Sequence, residues 1–129
     1  MALNIIHTEH APRPIAPYSQ AVRAGNFIFV SGCLGLCPVT GVLKKENIKE
    51  EISLAIDNLE NVLKAAGCRL SDIAKVNVFL SDMPLMARVN EVYKARFSAP
   101  YPARTTVAVK NLALGAHIEI EAVAMLDGE

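Results

Sequence analysis

Apolar residues along this chain follow two rhythms, and the switches between them divide it into elements. From Asn47 to Ala66 they recur at Ile48, Ile52, Ala55, Ile56, Leu59, Val62, Leu63 and Ala66, the spacing that stacks side chains on one face of a helix. Gly67 follows the last of them, where a left-handed residue closes a helix. Lys75 to Leu80 (K-V-N-V-F-L) alternates instead, as a strand does. Ser81-Asp82 with Pro84 opens a second helix through Phe97, with Asp82 as its cap and Met86, Val89, Tyr93 and Phe97 as its stripe. Q-A-V-R-A, the pair Gly25-Asn26 and F-I-F-V-S-G read as a hairpin with a tight turn. Phe27 to Val30 is apolar without alternation, the pattern of a strand covered on both faces.

The remaining segments complete a sheet. Pro100 and Pro102 exclude helix just before the β-branched residues Thr105, Thr106, Val107 and Val109, so Arg104 stands at the start of a strand. After the loop N-L-A-L-G-A, His117 to Met125 (H-I-E-I-E-A-V-A-M) is the last strand. A short strand near Leu3 to His7 precedes an entry punctuated by Pro12, Pro14 and Pro17, and P-V-T-G, Pro38 to Gly41, is a turn. The order strand, strand, helix, strand, helix, strand, strand describes one α+β domain over residues 1–129, without repeats or linkers. Two helices cover one face of such a sheet. Because Phe27 to Val30 calls for both faces to be dry, the other face is expected to meet further subunits.

Charge and cysteine content narrow the function classes. Thirteen basic and thirteen acidic residues cancel, which leaves no global field to recruit nucleic acid or an anionic membrane. No apolar run reaches the roughly 18 residues of a membrane helix. The N-terminus M-A-L-N-I-I-H-T-E-H has neither a secretory nor an arginine-rich leader pattern, which points to a cytoplasmic protein, or to a mitochondrial one if a presequence has been removed. Cys33, Cys37 and Cys68 are odd in number and sparse, as in a reducing compartment. Cys33 and Cys37 would lie roughly 13 Å apart in extended chain, beyond disulfide reach. No histidine neighbours them, so zinc is not expected and packing is their role.

Chemistry must come from a few polar residues on this apolar framework. Arg104 reads either as a solvated strand-end residue or as a two-pronged clamp for a carboxylate. Glu119 and Glu121 share one face of the last strand, opposite Ile118 and Ile120. That face is either solvated or carries a glutamate that positions or deprotonates a water. The loop between the last two strands permits them to pair antiparallel, which would set Arg104 near the glutamates. Tyr18, Ser31 and Asn90 are weaker candidates, with a packing edge, a backbone-bonded strand end and a surface helix position as their respective alternatives. Ser31 lacks a nucleophile-elbow setting, and no phosphate loop or dinucleotide fingerprint is present.

Six segments in order, A-P-Y-S-Q-A-V, V-S-G, P-V-T-G, V-N-E-V-Y, P-A-R-T-T-V and I-E-I-E-A-V-A, together resemble the reactive intermediate deaminase family, RidA or YjgF, across nearly the whole chain. The resemblance implies a chorismate-mutase-like α+β fold and a homotrimer whose sheets form a central barrel, with ligand clefts between subunits. It implies hydrolysis of 2-imino acids, or their enamine tautomers, to 2-keto acids and ammonia, without a cofactor or metal. By the same resemblance Arg104 grips the substrate carboxylate, Glu119 holds the water, and Tyr18, Ser31, Asn90 and Thr106 line the pocket. Thr106 stands where cysteine is common, Ala16 where glycine is common before P-Y, and Cys33 where glutamine is common after S-G. The Thr106 departure bears on thiol-dependent regulation, and the Ala16 and Cys33 departures bear on substrate preference. Family members are also described as translation-inhibiting ribonucleases, a role that the neutral charge and the lack of a basic aromatic stripe disfavour here. A ligand-binding or chaperone role without turnover is the third alternative.

Overall fold

The 18-residue helix α1 (Ile48–Ala65) starts where Asn47, in extended conformation, accepts a hydrogen bond from the Glu50 backbone N–H at 3.1 Å. That contact satisfies one of the free donors of the first turn. At the other end Gly67 takes φ +83°, and the N–H groups of Gly67 and Cys68 return to the carbonyls of Lys64 and Leu63. This double closure needs a left-handed residue, which glycine adopts without strain. Ile52, Ala55, Ile56, Leu59, Val62 and Leu63 are all buried, and each large aliphatic side chain among them contributes about 1.5–3 kcal/mol.

The structure, a computed structural model, describes residues 3–127. Strands β1 (Asn4–Ile6), β2 (Ala21–Ala24), β3 (Phe27–Cys33), β4 (Ile73–Leu80), β5 (Ala103–Ala108) and β6 (Ile118–Met125), with α1 and α2 (Met86–Arg96), form a mixed α+β fold. The six-stranded sheet has the order β1-β2-β3-β6-β4-β5. The expected hairpin is present, with Ala24 opposite Phe27 and Gly25 at φ +63° in the turn. The helices cover the face carrying Ile28, Val30, Val76, Val78, Leu80, Ile118 and Ile120, all buried.

Three expectations change. The strands of Arg104 and Glu119 are not neighbours. β5 pairs parallel with β4, while β6 lies antiparallel between β3 and β4, so both of its edges are taken. A parallel pair needs a long crossover, and α2 supplies it between β4 and β5. The second helix also begins later than Ser81-Asp82. Met83–Leu85 forms a 3-10 turn with a proline in it, α2 runs from Met86, and the Asp82 side chain makes no capping bond. Within this chain, finally, β3 is covered on one face only, with Ile28 and Val30 buried but Phe27 and Phe29 44% and 45% exposed. Val107 and Met125 are also substantially exposed.

Candidate active site

A bulge between Val30 and Cys33 interrupts the pairing of β3 with β6, and bulges of this kind re-aim side chains. Here the break accommodates a carboxylate. A Cβ at Gly32 would fall on the Glu119 side chain, colliding with Oε2 and lying 2.6 Å from Cδ and 2.9 Å from Cγ. Only a residue without a side chain leaves Glu119 its place. The glutamate borders a cavity of ≈ 490 Å³ whose wall also includes Tyr18, Ser31, Cys33 and Glu121. Burial, and then the negative charge of Glu121, raise the pKa of Glu119 above the ordinary carboxylate value. Glu121 is held by Asn77, whose Nδ2 donates at 3.0 Å, whereas Glu119 accepts no hydrogen bond among the described residues. Of the two carboxylates, Glu119 is the more available base. Burial and the charge of Glu119 push the Cys33 thiol up to about 12, so it is a neutral S–H and no thiolate nucleophile. The Ser31 hydroxyl donates to the Ser19 carbonyl at 2.6 Å, an anchoring role.

Arg104 occupies a different cleft. Its Nη2 donates to Asn90 Oδ1 at 2.6 Å, and its guanidinium carbon lies 4.8 Å from the centroid of the Tyr93 ring. Tyr93 is itself stacked on Phe97, with ring centroids 4.1 Å apart. A flat cation is thus supported from below by an aromatic face and steered by one amide oxygen. Asn90, Tyr93, Lys94, Tyr101, Pro102 and Arg104 line this cleft. Among the described residues no carboxylate forms an ion pair with Arg104. The cleft holds two cationic side chains and suits an anion.

The sheet register keeps the two halves apart. Arg104 is opposite Val76 and Thr106 opposite Val78, on the face beneath the helices, whereas Glu119 is opposite Phe79 and Glu121 opposite Asn77 on the open face. The expected nearness of Arg104 to the glutamates therefore does not occur within one chain. Tyr18, Ser31 and Glu119 are brought together around one cavity, and Asn90 and Arg104 around the other. Thr106 lines neither, and its buried hydroxyl has no partner among the described residues.

Several contributors had no clear mark in the sequence. Tyr93 reads as a stripe residue, although its position one helical turn after Asn90 places both beside the same neighbour. Gly32 matters through a contact made by a distant strand. The fully buried Glu51 accepts from the His117 backbone N–H at 2.7 Å and lies 2.8 Å from its ring Nδ1, fixing the start of β6 two residues before Glu119. Among the described residues no cluster of potential metal ligands occurs, and no helix is long and apolar enough to cross a membrane.

Known proteins resemble this chain in sequence and in fold. Residues 8–126 match the family described as Endoribonuclease L-PSP. A RutC family protein of Pyrococcus abyssi is 46% identical over 124 residues, covering 96% of this chain and 98% of the relative. A mouse protein named 2-iminobutanoate/2-iminopropanoate deaminase is 43% identical over 121 residues, covering 94% of this chain and 90% of its own. The crystal structure of RidA from a Psychrobacter species superposes with a TM-score of 0.93 at 39% identity, covering 95% of this chain and 99% of that one. With relatives this similar over nearly their whole length, the chain belongs to the Endoribonuclease L-PSP family, the RidA/YjgF family of the sequence resemblance.

Proposed function

We propose that the protein hydrolyses 2-imino acids, of the 2-iminobutanoate and 2-iminopropanoate kind, to 2-keto acids and ammonia. The site is completed when the Arg104 cleft of one copy meets the Glu119 cavity of another. One observation carries the reading: a preorganised guanidinium without a carboxylate partner among the described residues and a carboxylate of raised basicity stand on opposite faces of one sheet. Among the described residues the wall of the Arg104 cleft has no carboxylate, and Arg13, the guanidinium on the wall of the Glu119 cavity, is paired with Glu9 at 3.4 Å. The half-exposed Phe27, Phe29, Val107 and Met125 give the copies an apolar face on which to meet, and a closed homotrimer would bury it. The name of the mouse relative supports the same chemistry.

In this mechanism Arg104 binds the substrate carboxylate through paired hydrogen bonds, fixing the adjacent iminium carbon. Glu119 takes a proton from a water as its oxygen adds to that carbon, giving a carbinolamine. Glu119 returns the proton to the nitrogen, and the C–N bond breaks as the hydroxyl oxygen forms the carbonyl. The hydroxyl proton passes to the departing ammonia, so iminium and water become keto acid and ammonium. The raised basicity of Glu119 suits both transfers. No cofactor is required, because the iminium carbon is already electrophilic.

The test is to generate imines in situ from alanine and 2-aminobutanoate with an L-amino acid oxidase and follow keto-acid release with and without the protein, with labelled RNA in a parallel reaction. Accelerated release with intact RNA is the expected result. Cleaved RNA without acceleration would replace this reading with a ribonuclease.

A further inference from the structure

Charge in the Arg104 cleft is one-sided. Lys94 and Arg104 both line it, and among the described residues no carboxylate does. Lys94 follows Asn90 on α2 at the spacing of one helical turn, which sets two side chains on the same helix face with their Cβ atoms about 5–6 Å apart. Asn90 is the residue that holds Arg104, at 2.6 Å, so the ammonium and the guanidinium border the same space. The charged neighbours of Lys94 along the helix are engaged elsewhere. Glu91 pairs with Lys49 at 2.8 Å, and Arg96, the other cation of the last turn, pairs with Asp57 at 2.8 Å and Glu60 at 3.2 Å. Lys94 itself forms no ion pair among the described residues.

One carboxylate uses only one of the two cations. A guanidinium holds it through two parallel hydrogen bonds, which leaves the ammonium, a compact charge on a flexible stem, unmatched. We infer that the Arg104 cleft selects 2-imino dicarboxylic acids, with Arg104 on the carboxylate beside the imino carbon and Lys94 on the carboxylate at the far end of the side chain; this rests on the deaminase reading above. At ≈ 390 Å³ the cleft is of small-molecule size. Tyr101 and Pro102 supply apolar wall for the methylene groups between the two charges. Lys94 touches no reacting atom and acts on specificity. A cation in the last turn also complements the C-terminal end of α2, but that role does not depend on which ligand is bound.

The test is calorimetric titration with two unreactive keto acids of matched shape: 2-oxoglutarate, and 5-methyl-2-oxohexanoate, in which an isopropyl group replaces the distal carboxylate. Lys94→Gln should weaken 2-oxoglutarate about fivefold, the worth of one partly exposed ion pair, while 5-methyl-2-oxohexanoate changes by less than about twofold. Lys94→Arg should restore most of the loss. Unchanged 2-oxoglutarate affinity in Lys94→Gln, equal weakening of both acids, or no binding of 2-oxoglutarate to the wild type would overturn the subsite. In turnover, the kcat/KM ratio of the imine from glutamate to the imine from alanine should fall in Lys94→Gln by the same factor. Wild-type turnover of 2-iminopropanoate, which has one carboxylate, reports on the deaminase reading alone. If that turnover is absent, the titration still decides whether Lys94 meets a distal carboxylate.

Discussion

Replacing Gly32 with alanine adds one methyl group, and the structure says where it goes. The new Cβ would lie 2.6 Å from Cδ and 2.9 Å from Cγ of Glu119, whereas carbon atoms pack at about 3.5–4.0 Å. Gly32 does not use the left-handed region of backbone space, so alanine meets no backbone strain. The yielding part is the far end of a flexible side chain, and the carboxylate must retreat by about 1 Å. Leaving its rotamer minimum costs about 0.5–1.5 kcal/mol, a modest loss for the fold. For catalysis the same shift is large, because a 1 Å misplacement of a reacting group costs about 10²-fold. Gly32→Ala should therefore lower kcat for imine hydrolysis by about 10²-fold while the protein still unfolds cooperatively near the wild-type temperature. Keto-acid release under saturating imine and a thermal melt measure the two effects. A folded variant with wild-type kcat would show that the Glu119 carboxylate is not the group holding the water.

Four other outcomes follow from the same geometry. Glu119→Gln should lower turnover by about 10²-fold or more, as for other general bases, with Glu121→Gln costing less because Asn77 already occupies Glu121; a larger loss from Glu121→Gln would reassign the water. Since burial and Glu121 raise the pKa of Glu119, the base is lost as pH falls through a value above that of an exposed glutamate. The acid limb of kcat/KM should sit correspondingly high and vanish in Glu119→Gln. Arg104→Ala should abolish turnover and weaken binding of an unreactive 2-keto acid without changing the oligomeric state, since Arg104 contacts a helix surface through Asn90 and Tyr93; retained turnover would refute the clamp. Light scattering should give a trimer, and a stable monomer at micromolar concentration would contradict the shared site.

Local pattern made the elements legible and left their arrangement open. The stripe from Ile48 to Ala66 and Gly67 gave α1 with its closing turn, because helical periodicity and a left-handed terminus are properties of adjacent residues. Asp82 misled because a cap signal followed by Pro84 also fits the 3-10 turn that precedes α2. In F-I-F-V the two faces are both apolar, so the alternation between buried Ile28 and exposed Phe29 is invisible in composition. The neighbours of β5 depend on which edge of the sheet is vacant, a property of the finished fold. The same holds for Gly32, whose partner lies 87 residues further on at Glu119, and for the contact between Arg104 and Asn90. Resemblance named the candidate residues; register sets Arg104 and Thr106 on one face of the sheet and Glu119 on the other.

That division has a chemical consequence. Were Arg104 and Glu119 neighbours on one face, they would form an ion pair, lowering the basicity of the glutamate and occupying the guanidinium. Each would then be disabled before substrate arrived. Instead Arg104 is held by a neutral amide oxygen and an aromatic ring, which orient the cation without neutralising it. Glu119 has burial and Glu121 around it, which together raise its pKa. In the proposed shared site a 2-imino acid separates the two groups, its carboxylate on the guanidinium and its iminium carbon toward the glutamate's water. Opposite faces rule out an ion pair between the two within one copy, and the proposed shared site then needs the substrate itself to bridge the clamp of one copy and the base of another.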